Sequence, residues 1–185
     1  IATPHRLETT AETALDIDYR RSQAPNAVRL DLPDAWTPWL ARLVGYIVAE
    51  GYATIREDNT GSVTVTTGDR EILDDVTAAF DRLGLPYTER DGRDGKDAPT
   101  VVCTASEFVS FLEHLEPALL EGSAAQRVPD GIQAADREIQ AAFLRAYVDG
   151  EGHVSTTERE LAVASMSREL LEDVRSLLLS FGIQG

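Results

Sequence analysis

Apolar residues recur at helical spacing in two separate stretches of the chain. The first stretch runs from about Trp36 to Glu50, and its apolar positions are Leu40, Leu43, Val44, Ile47 and Val48. Thr37 and Pro38 suit the start of a helix here, and Gly51 suits its end. The second stretch runs from about Asp136 to Glu151. We therefore predict two similar helices, one in each half of the chain.

The residues that follow each helix predict strands and further helices. After the first helix, alternating polar and apolar residues predict two hairpins, with strands over 52–56, 62–66, 87–90 and 100–104. Helical spacing predicts helices over 69–84, after the capping residue Asp69, and over 106–115. After the second helix the predicted elements are strand 153–156, strand 161–166 and helix 167–181.

These elements group into an N-terminal arm, two units and a linker. The first unit, over 35–120, has the order helix, strand, strand, helix, strand, strand, helix. The second unit, over 136–185, supplies only the first four of these elements, so we expect it to be incomplete at its C-terminal end. Residues 1–34 are predicted to form an arm and residues 121–135 a linker. Because the chain opens at an isoleucine and stops just after a helix, we expect it to be an excised piece of a longer protein.

The two units are related by an internal duplication. Residues 43–52 read LVGYIVAEGY and residues 144–153 read LRAYVDGEGH, and they match at an offset of 101. A second pair of segments, DREILDDVTAAFDRLGLP from residue 69 and SRELLEDVRSLLLSFGIQ from residue 167, matches at an offset of 98. Two matches in the same order, separated by one small deletion, indicate a duplicated unit of about 100 residues. The predicted fold class is therefore α+β with a duplicated unit.

Each duplicated helix carries two small residues on one face and a glutamate at its end. Gly45 and Ala49 in the first helix, and Ala146 and Gly150 in the second, are four residues apart and share a face. Two such faces allow close approach of parallel helices, which brings Glu50 and Glu151 together. Two carboxylates at the negative ends of helix dipoles repel each other, and a divalent cation resolves the conflict. The alternative is that the helices merely pack and both glutamates are solvated.

Composition and charge leave a nucleic-acid partner open. The chain of 185 residues has 32 acidic and 17 basic residues and a net charge of -15, which normally argues against nucleic-acid binding. However, Lys96 is its only lysine, and an acidic, arginine-rich and lysine-poor composition is typical of haloarchaeal proteins. In molar salt an acidic surface maintains solubility, and phosphate binding depends on local patches. The single cysteine, Cys103, permits no internal disulfide and is expected in the core. With no apolar run of membrane-spanning length and no signal pattern, we expect a soluble cytoplasmic protein.

The segments LVGYIVAEG and LRAYVDGEG resemble the two sequence motifs of the LAGLIDADG (DOD-type) homing endonucleases, particularly those inserted in archaeal inteins. The resemblance covers residues 36–182. It implies a duplicated αββαββα fold, in which the motif helices meet and the sheets lie along the DNA major groove. It also implies that Glu50 and Glu151 hold catalytic Mg²⁺ or Mn²⁺. Both positions are glutamate here, where aspartate is commoner in the family.

A second segment departs from the family pattern. Intein endonucleases carry a Lys-x-Ile-Pro segment after the first unit, and its lysine assists catalysis. The matching residues here read QRVP from residue 126, so Gln126 stands at the lysine position with Arg127 beside it. A guanidinium stays charged and can stabilise a phosphorane, whereas an amide cannot. We take both as candidate catalytic residues; the alternative is a plain linker before the second unit.

The resemblance also indicates which residues contact DNA. The polar faces of the first hairpin and the basic residues of the second are the candidates: Thr54, Arg56, Thr64, Thr66, Arg90, Arg93 and Lys96. Aspartates interleave with the last three, so a solvated loop is the alternative there. The expected partners are double-stranded DNA and, in cis, a host protein with a splicing domain, and the chain is expected to be monomeric. A DNA-binding module without cleavage activity and a purely structural insert are the competing functions.

Overall fold

The structure, a computed structural model, describes residues 14, 15, 19, 30–58, 60–92, 97–155, 157 and 160–184. Its elements in chain order are α1 (Pro38–Glu50), β1 (Gly51–Ile55), β2 (Gly61–Thr66), α2 (Arg70–Arg82), β3 (Tyr87–Arg90), β4 (Thr100–Cys103), α3 (Ser106–Leu115), a 3-10 helix (Pro117–Leu120), α4 (Asp130–Ala134), α5 (Arg137–Glu151), β5 (Gly152–Ser155), β6 (Glu160–Val163) and α6 (Arg168–Ser180). The predicted mixed architecture and its two successive units are confirmed.

Side-chain caps set the starts of the longer helices, as the sequence predicted for α1 and α2. The Thr37 hydroxyl accepts a hydrogen bond from the amide of Leu40 at the start of α1. The Asp69 carboxylate accepts the Glu71 amide at the start of α2. Asp136 caps α5 and Ser167 caps α6 in the same way. Each cap satisfies an amide that has no partner inside the helix, which fixes where the helix begins.

The first unit forms one antiparallel sheet of four strands in the order β1, β2, β4, β3. One face of this sheet is buried against the helices through Ala53, Val63, Val65, Val101 and Cys103. Cys103 is therefore a core residue, as predicted, and burial raises the pKa of its thiol to about 11. The aromatic rings of α2 and α3 complete the core on this side, with Phe80 and Phe108 packed edge to face.

The second unit forms a two-stranded sheet, β5 with β6. In the first unit the strand equivalent to β6 is β2, and its far edge pairs with β4. Among the described residues no strand pairs with the far edge of β6, and Val154 of β5 and Met166, which follows β6, are exposed. The prediction of an abbreviated second unit thus matches the elements that the structure describes.

The segment between the units is more ordered than the predicted linker over 121–135. It is preceded by the 3-10 helix and contains the short helix α4. The Trp36 indole, which is buried, lies directly against Gly131 of α4. The linker and the first unit are therefore packed together. No local sequence pattern predicts this contact.

Part of the predicted arm lies against the first unit. Ala14 forms an isolated antiparallel bridge with Ala35, and the Tyr19 ring meets Phe111 edge to face at 5.8 Å between centroids. No described helix is long and apolar enough to cross a lipid bilayer.

Helices α1 and α5 pack against each other through their small residues. A Cβ atom added to Gly45 would lie 2.8 Å from the Ala146 Cβ and 2.8 Å from the Phe143 carbonyl oxygen. One added to Gly150 would lie 2.6 Å from the Ala49 Cβ. Each small residue therefore meets its counterpart from the other repeat, and because both contacts run in the same chain direction, the helices are parallel. No other pair of elements is in such extensive contact within the described chain.

We expect Gly45→Ala to destabilise the protein, although alanine favours helix more than glycine does. The added methyl group has no room between Ala146 and the Phe143 carbonyl, and overpacking of this kind costs about 1–3 kcal/mol. Thermal and urea unfolding would measure the loss. Gly68→Ala is the matched control, because a Cβ there meets nothing within 4 Å. Equal stability of both variants would show that the two helices are not in close contact.

Candidate active site

The parallel packing of α1 and α5 brings their C-terminal glutamates together. A Cβ atom added to Gly150 would lie 3.0 Å from the Cγ of Glu50. The Glu50 side chain therefore lies against α5 at the residue before Glu151. Each glutamate is the last residue of its helix, and the next residue, Gly51 or Gly152, starts a strand. A Cβ at Gly51 would lie 2.9 Å from the Ile47 carbonyl oxygen and 3.0 Å from that of Thr64. Glycine at this position therefore permits the chain to change from helix to strand directly after each glutamate.

The two carboxylates have different surroundings. Glu50 is partly buried, and this burial raises the pKa of its carboxyl, with repulsion from Glu151 adding to the effect. A favourable interaction with the nearby Thr67 hydroxyl opposes the rise in the pKa of Glu50. The same Thr67 oxygen accepts the amide of Asp69, the residue that caps α2. Glu151, by contrast, is exposed.

This pair of carboxylates fits a divalent cation of the Mg²⁺ type. Hard cations prefer carboxylate oxygen, and Mg²⁺ is commonly held by one or two carboxylates together with water and phosphate oxygens. Within the described residues no group of three or more histidine, cysteine, aspartate or glutamate side chains is arranged to hold a metal. A cation here would therefore take its protein ligands from Glu50 and Glu151 and leave its other positions open to substrate.

Gln126 lies beside one of these glutamates. It is buried, and it lines a cavity of about 380 Å³ together with Glu151, Tyr147 and Ser165. Its backbone carbonyl accepts a hydrogen bond from the hydroxyl of Ser167, the capping residue of α6. Gln126, the residue that the family resemblance placed at a catalytic position, is thus held at the cavity lined by Glu151 by a contact with the second repeat.

Arg127, predicted as a second catalytic residue, forms ion pairs with carboxylates outside the glutamate pair. Its guanidinium lies 2.6 Å from Asp130, 3.4 Å from Glu169 and 3.7 Å from Glu116. It does not line the cavity that holds Glu151 and Gln126. The structure therefore does not bring Arg127 to the glutamate pair. Instead it joins the end of the first unit to α6.

The face of the four-stranded sheet opposite the core is polar and carries no carboxylate. Strand register places these residues on it: Tyr52, Thr54, Ser62, Thr64, Thr66, Thr88, Arg90, Thr100 and Val102. All four strands lie within the described residues, so this composition is complete for the strands. The one acidic strand residue, Glu89, belongs to the opposite face and pairs with Arg70 at 3.3 Å. In a chain of net charge -15 this absence of carboxylates marks a local surface to which phosphate can approach.

Most of the predicted DNA-contacting residues are placed on or beside this face. Thr54, Thr66 and Arg90 lie on it and are exposed, and Arg56 is exposed just after β1. Thr64 is the exception, because Tyr52 and Val102 on the neighbouring strands flank it and leave it only 6% exposed. Arg93 and Lys96 lie outside the described residues.

Two hydroxyl residues near the glutamates were not among the site residues predicted from the sequence. Thr67 supports Glu50, and Ser165 occupies the equivalent place in the second repeat, where its oxygen accepts the amide of Ser167. The offset of 98 that aligns the two later helices also aligns these hydroxyl residues, each of which comes two residues before a capping residue. That signal was present in the sequence, but its relation to the glutamates depends on tertiary packing.

Comparison with known families agrees with this geometry. The family model described as a LAGLIDADG-like domain matches residues 38–116 and 138–185, which is more than half of the chain. The chain belongs to the LAGLIDADG family. The two matched stretches correspond to the two repeats, and the LAGLIDADG motif helices are α1 and α5.

Solved structures share the fold of this LAGLIDADG chain. The homing endonuclease I-DmoI in complex with DNA and Mn has a TM-score of 0.57 at 17% identity, over 80% of this chain and 79% of that one. Full-length WhiA from Thermatoga maritima has a TM-score of 0.55 at 16% identity, over 82% of this chain and 46% of that one. At these identities the likeness concerns the fold alone.

Archaeal proteins contain similar sequences as a minor part of their length. The DNA-directed RNA polymerase subunit Rpo1C of Methanocaldococcus jannaschii is 27% identical over 86% of this chain but only 17% of its own length. The DNA polymerase II large subunit of Thermococcus kodakarensis is 29% identical over 79% of this chain and 8% of its own length. The LAGLIDADG chain thus spans a small share of these relatives.

We expect Glu50→Gln to stabilise the LAGLIDADG domain at neutral pH in the absence of divalent cations. The folded state holds the Glu50 carboxyl less acidic than the unfolded chain does, so ionising it opposes folding. That penalty is absent below the ordinary glutamate pKa of about 4.3 and develops as the pH rises through the raised value. Melting temperatures across this range should therefore show a gain for the variant at neutral pH that vanishes in acid. The exposed Glu57→Gln serves as control, and a gain that persists in acid would contradict the charge explanation.

Proposed function

We propose that this chain is a homing endonuclease domain that cuts double-stranded DNA at a specific site, with Mg²⁺ or Mn²⁺ held between Glu50 and Glu151. The close contact of α1 and α5 carries the proposal, because it converts two glutamates 101 positions apart into one pair. The resemblance to I-DmoI, a homing endonuclease whose structure was solved with DNA and Mn, supports the same substrate class.

The protein's own residues provide the ligands and fix their geometry. A divalent cation bound at such a site supplies activation of water and stabilisation of the leaving oxygen in phosphodiester hydrolysis. The Thr67 hydroxyl lies near Glu50, while Glu151 is exposed and lines the Gln126 cavity. The two helices pack through small residues and so have little freedom to separate. The carboxylates are thereby kept in place before substrate arrives, which is how rigid elements contribute to catalysis.

DNA binding is assigned to the polar face of the four-stranded sheet. Exposed threonine hydroxyls can reach phosphates and base edges, and Arg56 and Arg90 supply positive charge at its margin. Arg93 and Lys96, in the loop between β3 and β4, are proposed to extend this margin. Because the rest of the protein is strongly acidic, binding depends on this local surface rather than on net charge.

An intein setting accounts for the distribution of the relatives. Similar sequences occupy 17% of an RNA polymerase subunit, 8% of a DNA polymerase subunit and 7% of a replication factor C subunit. These host proteins differ in function, so an inserted element that moves between genes explains the shared segment better than a common activity. We propose that a host protein and a splicing domain are joined to this chain in cis, that it acts as a monomer and that it originates from a haloarchaeal host.

A DNA-binding module that has lost cleavage is the second candidate. Gln126 favours it, because an amide replaces the lysine that the family pattern predicts beside the glutamate pair. Both candidates predict DNA binding, and only the endonuclease predicts strand cleavage.

The decisive experiment selects bound sequences from a library of randomised DNA duplexes and then assays the selected DNA for cleavage with MgCl₂ or MnCl₂. The wild type is expected to bind and cut, whereas the double variant Glu50→Gln, Glu151→Gln is expected to bind and leave the DNA intact. Removing the metal with a chelator should abolish cleavage by the wild type. Binding should weaken with increasing salt, as expected for phosphate contacts.

Each alternative predicts a different result in this experiment. Binding without cutting by the wild type supports the module that has lost cleavage. Absence of binding at any salt concentration contradicts both candidates and supports a structural insert. The exposed variant Thr88→Glu places a charge on the proposed DNA face without approaching the glutamates, so it should weaken binding specifically.

We further expect Gln126→Lys to increase the rate of cleavage by about tenfold or more, because it places a positive charge beside Glu151, where it can stabilise the transition state. Gln126→Met has a similar length and no charge, and it should not increase the rate. Single-turnover kinetics on the selected DNA would compare the three proteins. A rate for the lysine variant at or below that of the methionine variant would contradict this role for position 126.

A further inference from the structure

The first half of α6 binds part of the linker, residues 126–128, through three polar contacts. The carbonyl of the first linker residue accepts a hydrogen bond from the Ser167 hydroxyl at 2.5 Å. The guanidinium of the second, an arginine, lies 3.4 Å from Glu169, and the amide of the third donates to Asp173 at 3.1 Å. The start of this helix therefore holds an irregular, arginine-bearing segment by its backbone and its charge together.

The equivalent positions of the first repeat line a surface cavity. The offset of 98 aligns the three residues of α6 that hold the linker with Asp69, Glu71 and Asp75 at the start of α2. These three side chains are exposed, and they line a cavity of about 500 Å³. Its other lining residues are Arg42, Tyr46, Ile72, Asp74 and Asp149. In the part of the chain that the structure describes, no segment fills this cavity as the linker covers α6.

The cavity is strongly acidic. Five of its lining residues are carboxylates, and Arg42, which pairs with Asp75, is the only basic residue among them. No described basic residue forms an ion pair with Glu71 or with Asp149. Glu71 is the equivalent of the glutamate that binds Arg127 in the second repeat. The first repeat thus keeps the glutamate and lacks the guanidinium.

An adjoining cavity of about 180 Å³ adds an apolar surface. It shares Arg42, Tyr46 and Asp75 with the acidic cavity. Its other lining residues are Trp39, Leu43, Ala78, Ala79 and Arg82. A bound segment can therefore place a charged side chain among the carboxylates and an apolar one beside Leu43. The linker has this pattern, because Val128 follows its arginine.

We propose that the acidic cavity is a docking site for an arginine-bearing segment of another polypeptide, in the place that residues 126–128 take on α6. Arg42 and Tyr46 already hold Asp75, so the incoming guanidinium pairs with Glu71. Asp149 of α5 supplies a further carboxylate in the same cavity.

Charge and shape both favour an arginine as the bound group. The planar guanidinium has five donors and can bind carboxylates through two hydrogen bonds at once, which the ammonium group of lysine cannot do in a fixed geometry. The same carboxylates repel phosphate, so this surface is separate from the proposed DNA-binding face. Neither Glu50 nor Glu151 lines the cavity, and the inference is therefore independent of the nuclease function.

The test uses a synthetic peptide with blocked ends that copies residues 122–129, GSAAQRVP. Calorimetric titration in EDTA, which removes divalent cations, should show that the wild type binds it. The double variant Glu71→Gln, Asp149→Asn should bind about tenfold more weakly or worse, because charge-assisted hydrogen bonds are lost. A peptide with Arg127→Gln should show the same loss. The exposed Glu57→Gln is the matched control and should bind the peptide as the wild type does.

The location of the peptide is tested through the equivalent glutamates. Amide resonances at the start of α2 should shift on binding, and Glu71→Gln should weaken the interaction more than Glu169→Gln. The reverse order would mean that the peptide exchanges with the linker on α6, and it would overturn the proposal. Failure of the wild type to bind, or equal affinity for the arginine and glutamine peptides, would overturn it as well.

A cation is the competing occupant of an acidic cavity. Titration with MnCl₂ in place of the peptide distinguishes the two, because bound Mn²⁺ broadens nearby amide resonances. Broadening at the start of α2 without peptide binding would replace the docking site by a cation site. None of these measurements involves DNA or cleavage. A protein that binds the peptide and cuts no DNA would therefore contradict the nuclease proposal and leave the docking site standing.

Discussion

The contact between α1 and α5 is the constraint on which the rest of this structure depends. Backbone and Cβ atoms approach so closely at Gly45 and Gly150 that even a methyl group would not fit. Close packing of this kind gains dispersion energy along the whole interface and fixes both the direction and the register of the helices. Because the register is fixed, the two helices end side by side, and their terminal glutamates lie near each other. The candidate site is thus assembled from an interface that is itself part of the core.

This arrangement places an electrostatic cost at the centre of the protein. Burial, and after it repulsion from Glu151, raises the pKa of Glu50, and the fold tolerates this because the surrounding packing is extensive. A divalent cation would convert the repulsion into attraction, so the same feature that weakens the free protein favours the bound one. Sites that are poorly compensated in the free state and satisfied by a ligand are typical of functional positions.

The duplication has been followed by divergence around a preserved centre. Both repeats keep the small residues, the glutamate and a hydroxyl residue before the next helix, and these are the parts that define the pair. Outside them the repeats differ. Arg42 and Asp75 hold Tyr46 in the first, whereas in the second Asp173 binds the linker and Arg127 joins Glu116 to Glu169. The second repeat thus uses its equivalent positions to attach itself to the first, and the site becomes asymmetric.

The sequence by itself determined the duplication, the limits of nearly every helix and strand, and the glutamates at equivalent helix ends, because periodicity, capping residues and repeat offset are local properties of the chain. Only the tertiary structure decided which of these residues are available. Thr64 alternates like its exposed neighbours but is covered by strands that pair with it from both sides. Gln126 reaches the cavity of Glu151 while Arg127 does not, because a Ser167 hydroxyl 41 residues away holds the segment in one orientation. Such contacts join residues that are distant in sequence, and no local pattern specifies them.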